Sequence, residues 1–341
     1  MCQFRFCICA IGLLRLLQNG ERGELMSAFG LLLPIFCLRK GEKMTLNTFT
    51  DLLVDELNRR SDEETFIEHK SIRKNNGTQW EALIIRKGDS RIAPTIYLDD
   101  WYRKYRDGKE IFELAGNILG AYDKMLEKID IGKGFFLSYE EVRNGLYMRL
   151  VNAEKNEEML KEVPHRKWRD LALVCYYRMP RETLDYGTIQ IHNFQLACWG
   201  VSPEQILEDA WQNTRREFQP RLRPVREVLF SIREEVPFAP VEDIPEMPLY
   251  VLTGKEQYMG AVCITLPGVA EDISEKLNGD FHVLPSSIHE CLVVPDDGSF
   301  QFKTEELNAM VREINLTQLT PEEVLSEHVY HYSREKGRFD I

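Results

Sequence analysis

The sequence has few positive charges for its number of negative ones, and this shortage limits the partners that the protein can have. It holds 43 lysines and arginines against 55 aspartates and glutamates, which gives a formal net charge of -12. A chain this acidic repels a phosphate backbone unless its basic residues gather on one face. The one arginine-rich stretch, 215–227, is interpreted as a solvated face or a contact for an acidic partner. Nucleic acid is therefore not expected as a partner.

Long apolar runs and paired cysteines are also lacking. Two apolar runs near the start, CICAIGLLRLL and AFGLLLPIFCL, fall short of the roughly 20 residues that a membrane-spanning helix needs. The later cysteines stand singly in the sequence, unlike those of a zinc knuckle or a redox pair, at Cys175, Cys198, Cys263 and Cys291. Single cysteines in apolar segments are typical of buried small side chains in a reducing compartment. We therefore expect a cytoplasmic protein that does not bind membranes.

Several motifs for cofactors and catalysis are missing. The sequence has no phosphate-binding Gly-Lys-Ser/Thr loop, no GxGxxG segment after a strand, no HExxH and no cysteine-pair zinc pattern. These absences count against nucleotide-dependent enzymes and zinc proteases. We therefore expect no cofactor, and no catalytic constellation is evident.

The first 43 residues differ in composition from the rest of the chain. They are rich in cysteine and basic residues, and Lys40 to Lys43 can be encoded by codons that read as a bacterial ribosome-binding sequence. Such a sequence lies just ahead of a start codon, and Met44 follows. We expect that the protein starts at Met44 and that residues 1–43 are not part of the fold.

Apolar periodicity predicts an α+β fold. The first part reads as a helix, a hairpin that turns at Asn76-Gly77, and a returning helix, while the last part has the order β-β-α-β-β-α. Mixed or largely antiparallel sheets with helices packed on one face are expected. The predicted units are 44–130, 131–236 and 249–333, with a proline-rich acidic connector over 237–248.

Two further local signals carry predictions. Ser202, Pro203 and Gln205 predict the start of a helix, and Thr320, Pro321 and Glu323 repeat the pattern over LTPEEVLSEHVYHYS. The runs LYVLTG and YMGAVCITL are interpreted as a hairpin around residues 254–257.

Several of these segments together resemble a known family. They are NNG with APTIYLDDWY, VPHRKWRDLALV, the helix from Trp199-Gly200 to Asn213-Thr214, YMGAVCITLPGV and LPSSIHECLVVPDD. In this combination the chain resembles a bacterial family known only as a domain of unknown function, from about residue 44 to 338. The resemblance implies no activity, cofactor or catalytic residue.

The cluster Ser286-Ser287-x-His289-Glu290 holds the residue types of acyl-transfer chemistry. Strand geometry would place Ser287 and His289 on one face and Glu290 on the other. His165 and Asp170 form a second candidate pair, which folding would have to bring to His289. The alternative for both sets is structural, with these side chains satisfying backbone groups.

Other residues are candidates for binding. Tyr97, Trp101, Tyr102 and Tyr105 recur at helical spacing and predict either an aromatic platform or core packing. Asn213, Thr214 and Ser286 are polar candidates for a cleft or for backbone hydrogen bonds. His328-x-x-His331 has metal-binding spacing on a helix, but without a visible third ligand no metal is expected.

The sequence therefore favours a protein- or peptide-binding module over an enzyme. The alternative hypothesis is a hydrolase of unassigned substrate that uses Ser287 and His289, and its structural requirement is a nearby His165 or Asp170.

Overall fold

The computed structural model describes residues 44–88, 93–128, 136–179, 187–235, 248–285, 287–298 and 303–340. Contacts divide the chain into two compact units. The small unit holds the described residues up to 128, and the large unit holds those from 136 onward. Residues 1–43 and the predicted connector, apart from Pro248, lie outside the described residues, so the predictions about them stay predictions.

The small unit contains a helix, a hairpin and a later helix, with a short strand and a short helix between the hairpin and the later helix. Its elements are α1 (Leu46–Arg60), β1 (Thr65–Arg73), β2 (Gln79–Lys87), β3 (Thr95–Tyr97), α2 (Asp99–Arg106) and α3 (Ile111–Lys128). The turn between β1 and β2 has positive φ angles at Asn76 (59°) and Gly77 (70°), which is the conformation that an Asn-Gly pair favours. Phe49 and Leu53 of α1 pack with Leu83 of β2 in a fully buried core.

The large unit contains more elements, all set by the same local rules. Its helices are α4 (Tyr139–Val142), α5 (Glu157–Glu162), α6 (Asn193–Trp199), α7 (Pro203–Glu217), α8 (Val225–Glu235), α9 (Val269–Leu277) and α10 (Thr304–Gln318). Its strands are β4 (Leu146–Asn152), β5 (His165–Trp168), β6 (Leu171–Arg178), β7 (Thr188–Gln190), β8 (Arg221–Pro224), β9 (Tyr250–Thr253), β10 (Phe281–Leu284), β11 (Cys291–Pro295), β12 (Tyr330–Ser333) and β13 (Arg338–Asp340). Ser202 caps α7 by accepting from the N–H of Gln205, and Asn278, with φ of 57°, ends α9.

Three antiparallel sheets organise the described residues, which confirms the α+β class. The small unit has the order β1-β2-β3. The large unit has a four-stranded sheet, β4-β6-β5 with β7 also on β6, and a six-stranded sheet, β13-β12-β10-β11-β9-β8. Within this part of the chain, no helix is both long enough and apolar enough to cross a membrane.

The predicted hairpin of LYVLTG and YMGAVCITL is wrong. Residues Gly260–Thr265 form a 3₁₀ helix, because β9 pairs with β8 on one side and β11 on the other and has no free edge. A Cβ on Gly260 would lie 2.2 Å from Thr253 Oγ1, so the backbone at Gly260 packs directly against the Thr253 side chain. A uniformly apolar run does not distinguish strand from helix by periodicity. The second strand of the predicted order β-β-α-β-β-α is therefore a 3₁₀ helix in the structure.

The second predicted capping-box helix is also wrong. Thr320 does donate its N–H and hydroxyl to Glu323 Oε2, at 3.1 and 2.8 Å, but the chain leaves the helical path after one turn. Val324 bridges to Ser287, and Tyr330 then joins the six-stranded sheet. A short isolated helix is only marginally stable, so tertiary strand pairing outweighs the local signal.

Candidate functional site

The loop between β10 and β11 carries the predicted pair Ser287 and His289. Ser287 is 4% exposed and forms an isolated β-bridge with Val324. Its Oγ accepts a hydrogen bond from the backbone N–H of His289 at 3.1 Å, which is a turn-forming use of serine. Ser286 lies outside the described residues.

Both ring nitrogens of His289 face other protein groups. Nδ1 accepts from the backbone N–H of Met259 at 3.2 Å, so the neutral ring carries its proton on Nε2. Nε2 lies 4.0 Å from Oε1 of Glu323, whose other oxygen accepts from Thr320. Neither nitrogen is therefore positioned to take a proton from the Ser287 hydroxyl, as acyl transfer requires.

His165 and Asp170, the other two catalytic candidates, do not form a pair. His165 is exposed on β5. Asp170 is held by three groups, the Ser326 hydroxyl at 2.8 Å, the Tyr330 hydroxyl, and Nδ1 of His328 at 3.2 Å. Burial raises the pKa of Asp170, but these hydrogen bonds outweigh burial and hold the pKa below its usual value. Asp170 therefore anchors the segment that enters β12, with His328 as its histidine partner.

Asn213 and Thr214 of α7 satisfy backbone groups around β4. Asn213 Nδ2 donates to the carbonyls of Arg143 and Leu146, at 2.7 and 3.0 Å. Thr214 Oγ1 accepts from the N–H of Met148 at 2.8 Å. Both side chains are buried, so the geometry gives them a structural task.

The aromatic run of the small unit packs onto its core. Tyr102 and Tyr105 lie with their ring centroids 5.4 and 5.1 Å from that of Phe49. Trp101 is partly buried against the same core, and Tyr97 of β3 is also partly buried. This arrangement supports the packing interpretation of these residues.

Arg149, at the centre of β4, was missed by sequence reasoning. Every other residue of β4 is buried, so a lone arginine within an apolar strand was the available signal. The register pairs Tyr147 with Tyr176, which places Arg149 and Tyr176 on the same face of the sheet. The guanidinium carbon lies 6.0 Å from the centroid of the Tyr176 ring.

Gln190 of β7 holds the Arg149 guanidinium in place. Its Oε1 accepts from Nη2 of Arg149 at 2.7 Å, and its Nε2 donates to the carbonyl of Cys175 at 2.8 Å. The amide is therefore fixed at both ends. Such an anchored contact orients the arginine before any ligand binds.

The guanidinium nevertheless has no counter-charge among the described residues. Arg149 Nε and the Tyr176 hydroxyl are buried and have no hydrogen-bond partner among the described residues. Burial lowers the pKa of Arg149. The phenols of Tyr258 and Tyr176 raise this pKa, and no carboxylate of the described residues does so. Buried charges in proteins are as a rule paired. We call Arg149, Tyr176, Gln190 and Tyr258 the Arg149 cluster.

The Arg149 cluster adjoins the loop that holds the predicted Ser287 and His289. The rings of Tyr258 and His289 lie with their centroids 5.4 Å apart. The predicted pair Ser287 and His289 therefore lies beside the Arg149 cluster and shares no residue with it.

A second polar group has the composition of a metal site. His282, Asp296 and His331 each present a ligand atom, and these atoms lie within 4.8 Å of one another. His331 lies on β12 and pairs with His282 of β10, so its predicted helical pairing with His328 is wrong. The sequence offers no signal for this group, because its members come from three separate strands.

An open cleft of about 410 Å³ lies between β8, β9 and α9. The cleft is lined by Leu222, Leu252 and Ile273. Beside them, the ammonium group of Lys276 donates a hydrogen bond to the Leu222 carbonyl at 2.9 Å. None of its lining residues carries a buried side-chain atom without a partner. The cleft therefore gives no indication of what it would bind.

The sequence model of a family described as "Family of unknown function (DUF5688)" matches residues 46–334. This match spans most of the chain, and the chain therefore belongs to that family, which confirms the predicted resemblance to a domain of unknown function. No curated protein and no solved structure matches the chain.

Proposed function

We propose that this protein is a binding module that recognises a carboxylate group of a protein or peptide at the Arg149 cluster. The observation that carries the proposal is the buried guanidinium without a carboxylate partner among the described residues. Acidic residues are plentiful in a chain of net charge -12. An arginine whose Nε is buried and that pairs with none of those described indicates a position for an external anion.

A carboxylate suits the unused donors of the cluster. Arg149 Nε and the Tyr176 hydroxyl each have a hydrogen to donate, and a carboxylate has two oxygens that accept. Hydrogen bonds between a guanidinium and a carboxylate are charge-assisted and stronger than neutral ones. Because Gln190 already orients Arg149, little side-chain freedom is lost on binding.

A peptide or protein is the source of carboxylate that agrees best with the charge of the chain. A nucleic acid would be repelled by the overall negative charge, whereas a single carboxylate needs one local cation. Capture of a peptide C-terminus is one of the recurring modes of peptide recognition. The half-buried Tyr258 adds aromatic surface near the cation, and tyrosine is enriched where proteins bind one another.

The hydrolase hypothesis has less support. Ser287 would need a base, and the His289 ring would first have to give up its contact with the Met259 N–H. Hydrolysis of a generic ester that is lost in Ser287→Ala would favour it.

The test is binding of two pools of random hexapeptides to the full chain, measured by fluorescence anisotropy. One pool has free C-terminal carboxylates and the other is C-terminally amidated. We expect Arg149→Met to weaken binding of the free-acid pool by about tenfold or more, a loss of about 1.4 kcal/mol. Arg103→Met, which removes an exposed arginine of the small unit, is the matched control and should bind like the wild type.

The two pools separate the outcomes. Binding of the free-acid pool alone indicates recognition of the C-terminus, and equal binding of both pools indicates an acidic side chain. If Arg149→Met binds the free-acid pool as well as Arg103→Met does, the proposed role of Arg149 is wrong.

A further inference from the structure

Three neighbouring strands of the six-stranded sheet bring two histidines and an aspartate to one face. His282 of β10 is paired directly with His331 of β12 and with Val294 of β11. Asp296 stands two residues beyond Val294 and therefore projects from the same face. The N–H of Asp296 donates to the carbonyl of Asp280 at 2.9 Å, which continues the strand pairing past the end of β11.

The distances within this group approach those around a bound metal ion. His331 Nε2 lies 3.3 Å from Asp296 Oδ2, and His282 Nε2 lies 3.7 Å from the same oxygen. Ligands held tetrahedrally at about 2.0–2.1 Å from zinc are about 3.3 Å from one another. Small side-chain movements are therefore enough to surround an ion of this size.

The carboxylate of Asp280 lies at the edge of the group. Its Oδ2 lies 3.8 Å from His331 Nε2. Its other oxygen accepts from the backbone N–H of Arg334 at 2.9 Å. This contact orients the carboxylate, as contacts behind the ligands commonly do in metal sites.

The His282 ring is poised for coordination through one nitrogen. Its side chain is 12% exposed, and Nδ1 is buried without a partner among the described residues. The ring therefore meets its polar surroundings through Nε2, which faces Asp296 and His331. Asp296 and His331 are more exposed, at 43% and 30%, which leaves the ion a path from solvent.

We infer that His282, His331 and Asp296, with Asp280 as a fourth ligand, bind a divalent transition metal ion of the zinc class. Two imidazoles favour zinc, nickel or copper over magnesium and calcium, which prefer oxygen ligands. The site shares no residue with the Arg149 cluster, so a test of this inference is independent of the proposed function.

The test is titration of the full chain with zinc chloride and with magnesium chloride after removal of metals by a chelator. Isothermal calorimetry should show one zinc ion bound by this site and no magnesium. Asp296→Asn keeps the shape of the side chain, and His331→Gln changes a partly exposed ring. Each should weaken zinc binding by at least about 100-fold, since even residues behind the ligands contribute about 10- to 100-fold. His69→Gln removes a partly exposed histidine of the small unit and should leave zinc binding unchanged.

Cobalt substitution identifies the ligands independently. Cobalt at this site should show visible absorption typical of a tetrahedral ion without the near-ultraviolet band of thiolate ligands. Thermal melting of the metal-free variants shows whether they are folded. The inference is overturned if the wild type binds no zinc, if folded Asp296→Asn and His331→Gln bind it as tightly as His69→Gln, or if a thiolate band shows that cysteines hold the cobalt.

Discussion

Replacing Arg149 with methionine is expected to stabilise the protein while it weakens carboxylate binding. Methionine has a similar unbranched length and packs against Tyr176 without a charge. If Arg149 served the fold through a salt bridge, the same replacement would destabilise the protein. The sign of the change in the free energy of unfolding therefore distinguishes a binding arginine from a structural one.

The magnitude follows from two opposing contributions. The variant loses the hydrogen bond from Arg149 to Gln190, and a bond to a charged group contributes about 1.5–3 kcal/mol. It also removes a buried cation, and the desolvation of one buried ion costs several kcal/mol when no counter-ion offsets it. We expect the second effect to be the larger one, with a net gain of about 1–2 kcal/mol.

Gln190→Met provides the matched variant of opposite sign. It leaves Arg149 in place without its amide partner, and it takes a donor from the Cys175 carbonyl. Leaving buried groups unsatisfied costs about 1–3 kcal/mol, and more for a charged group. We therefore expect Gln190→Met to lower the free energy of unfolding by about 2–3 kcal/mol.

Hydrogen exchange followed by mass spectrometry is the suitable assay, because the chain has two compact units and one unfolding curve would mix them. Peptides from β6 report on the sheet that holds Arg149 and Gln190. A loss of stability in Arg149→Met as large as that in Gln190→Met would refute the reasoning, because it would show that the fold depends on the charge.

Two further predictions concern carboxyl groups of the large unit. Asp170→Asn should lower the free energy of unfolding by about 2–4 kcal/mol, because the hydroxyls of Ser326 and Tyr330 lose an anionic acceptor. Since the folded pKa is held down, the wild-type stabilisation is complete above the ordinary value of 3.8 and is lost as the pH falls through the folded pKa. Urea unfolding at several pH values, followed by pulsed hydrogen exchange of peptides from the large unit, should show that Asp170→Asn lacks this loss in acid, with the exposed Asp51→Asn as control. Glu290 is 1% exposed and burial raises its pKa, so the folded state keeps a proton that the unfolded state loses as the pH rises above the ordinary value of 4.5. Glu290→Gln should therefore gain stability over the wild type with rising pH, and parallel curves for the two proteins would contradict this expectation.

Local signals in the sequence predict the elements whose ends are set by local chemistry. Asn76-Gly77 fixes the hairpin of the small unit, and Ser202 fixes the start of α7, because each acts through a backbone conformation or a bond within a few residues. The predictions for the segments after Met259 and after Thr320 were wrong for one shared physical reason. Their backbone is determined by strands from elsewhere in the chain, and these contacts outweigh local preference.

The candidate sites were predictable only where their members are neighbours in sequence. Ser287 and His289 stand close together and attracted a catalytic interpretation, whereas Arg149 and Gln190 are 41 residues apart and meet only across β6. His331 was noticed for its spacing from His328, but strand pairing gives it His282 as its neighbour. Side chains that meet through sheet register need the register itself, which periodicity does not supply.

Arg149, His282 and Glu290 all carry a buried polar atom without a partner among the described residues, yet the physical consequence differs for each. Glu290 becomes neutral by keeping its proton, so its environment needs no ligand. Arg149 cannot lose its proton in a protein, so only an anion removes the cost of its charge. His282 Nε2 lies 3.7 Å from Asp296 Oδ2, a separation too long for a hydrogen bond, and a shared cation would satisfy both groups. Binding of a ligand to the folded state alone raises stability in proportion to RT ln(1 + [L]/Kd). Carboxylates should therefore stabilise the sheet around Arg149, and zinc should stabilise the sheet around His282. The contribution of Glu290 to the free energy of unfolding should depend on pH alone.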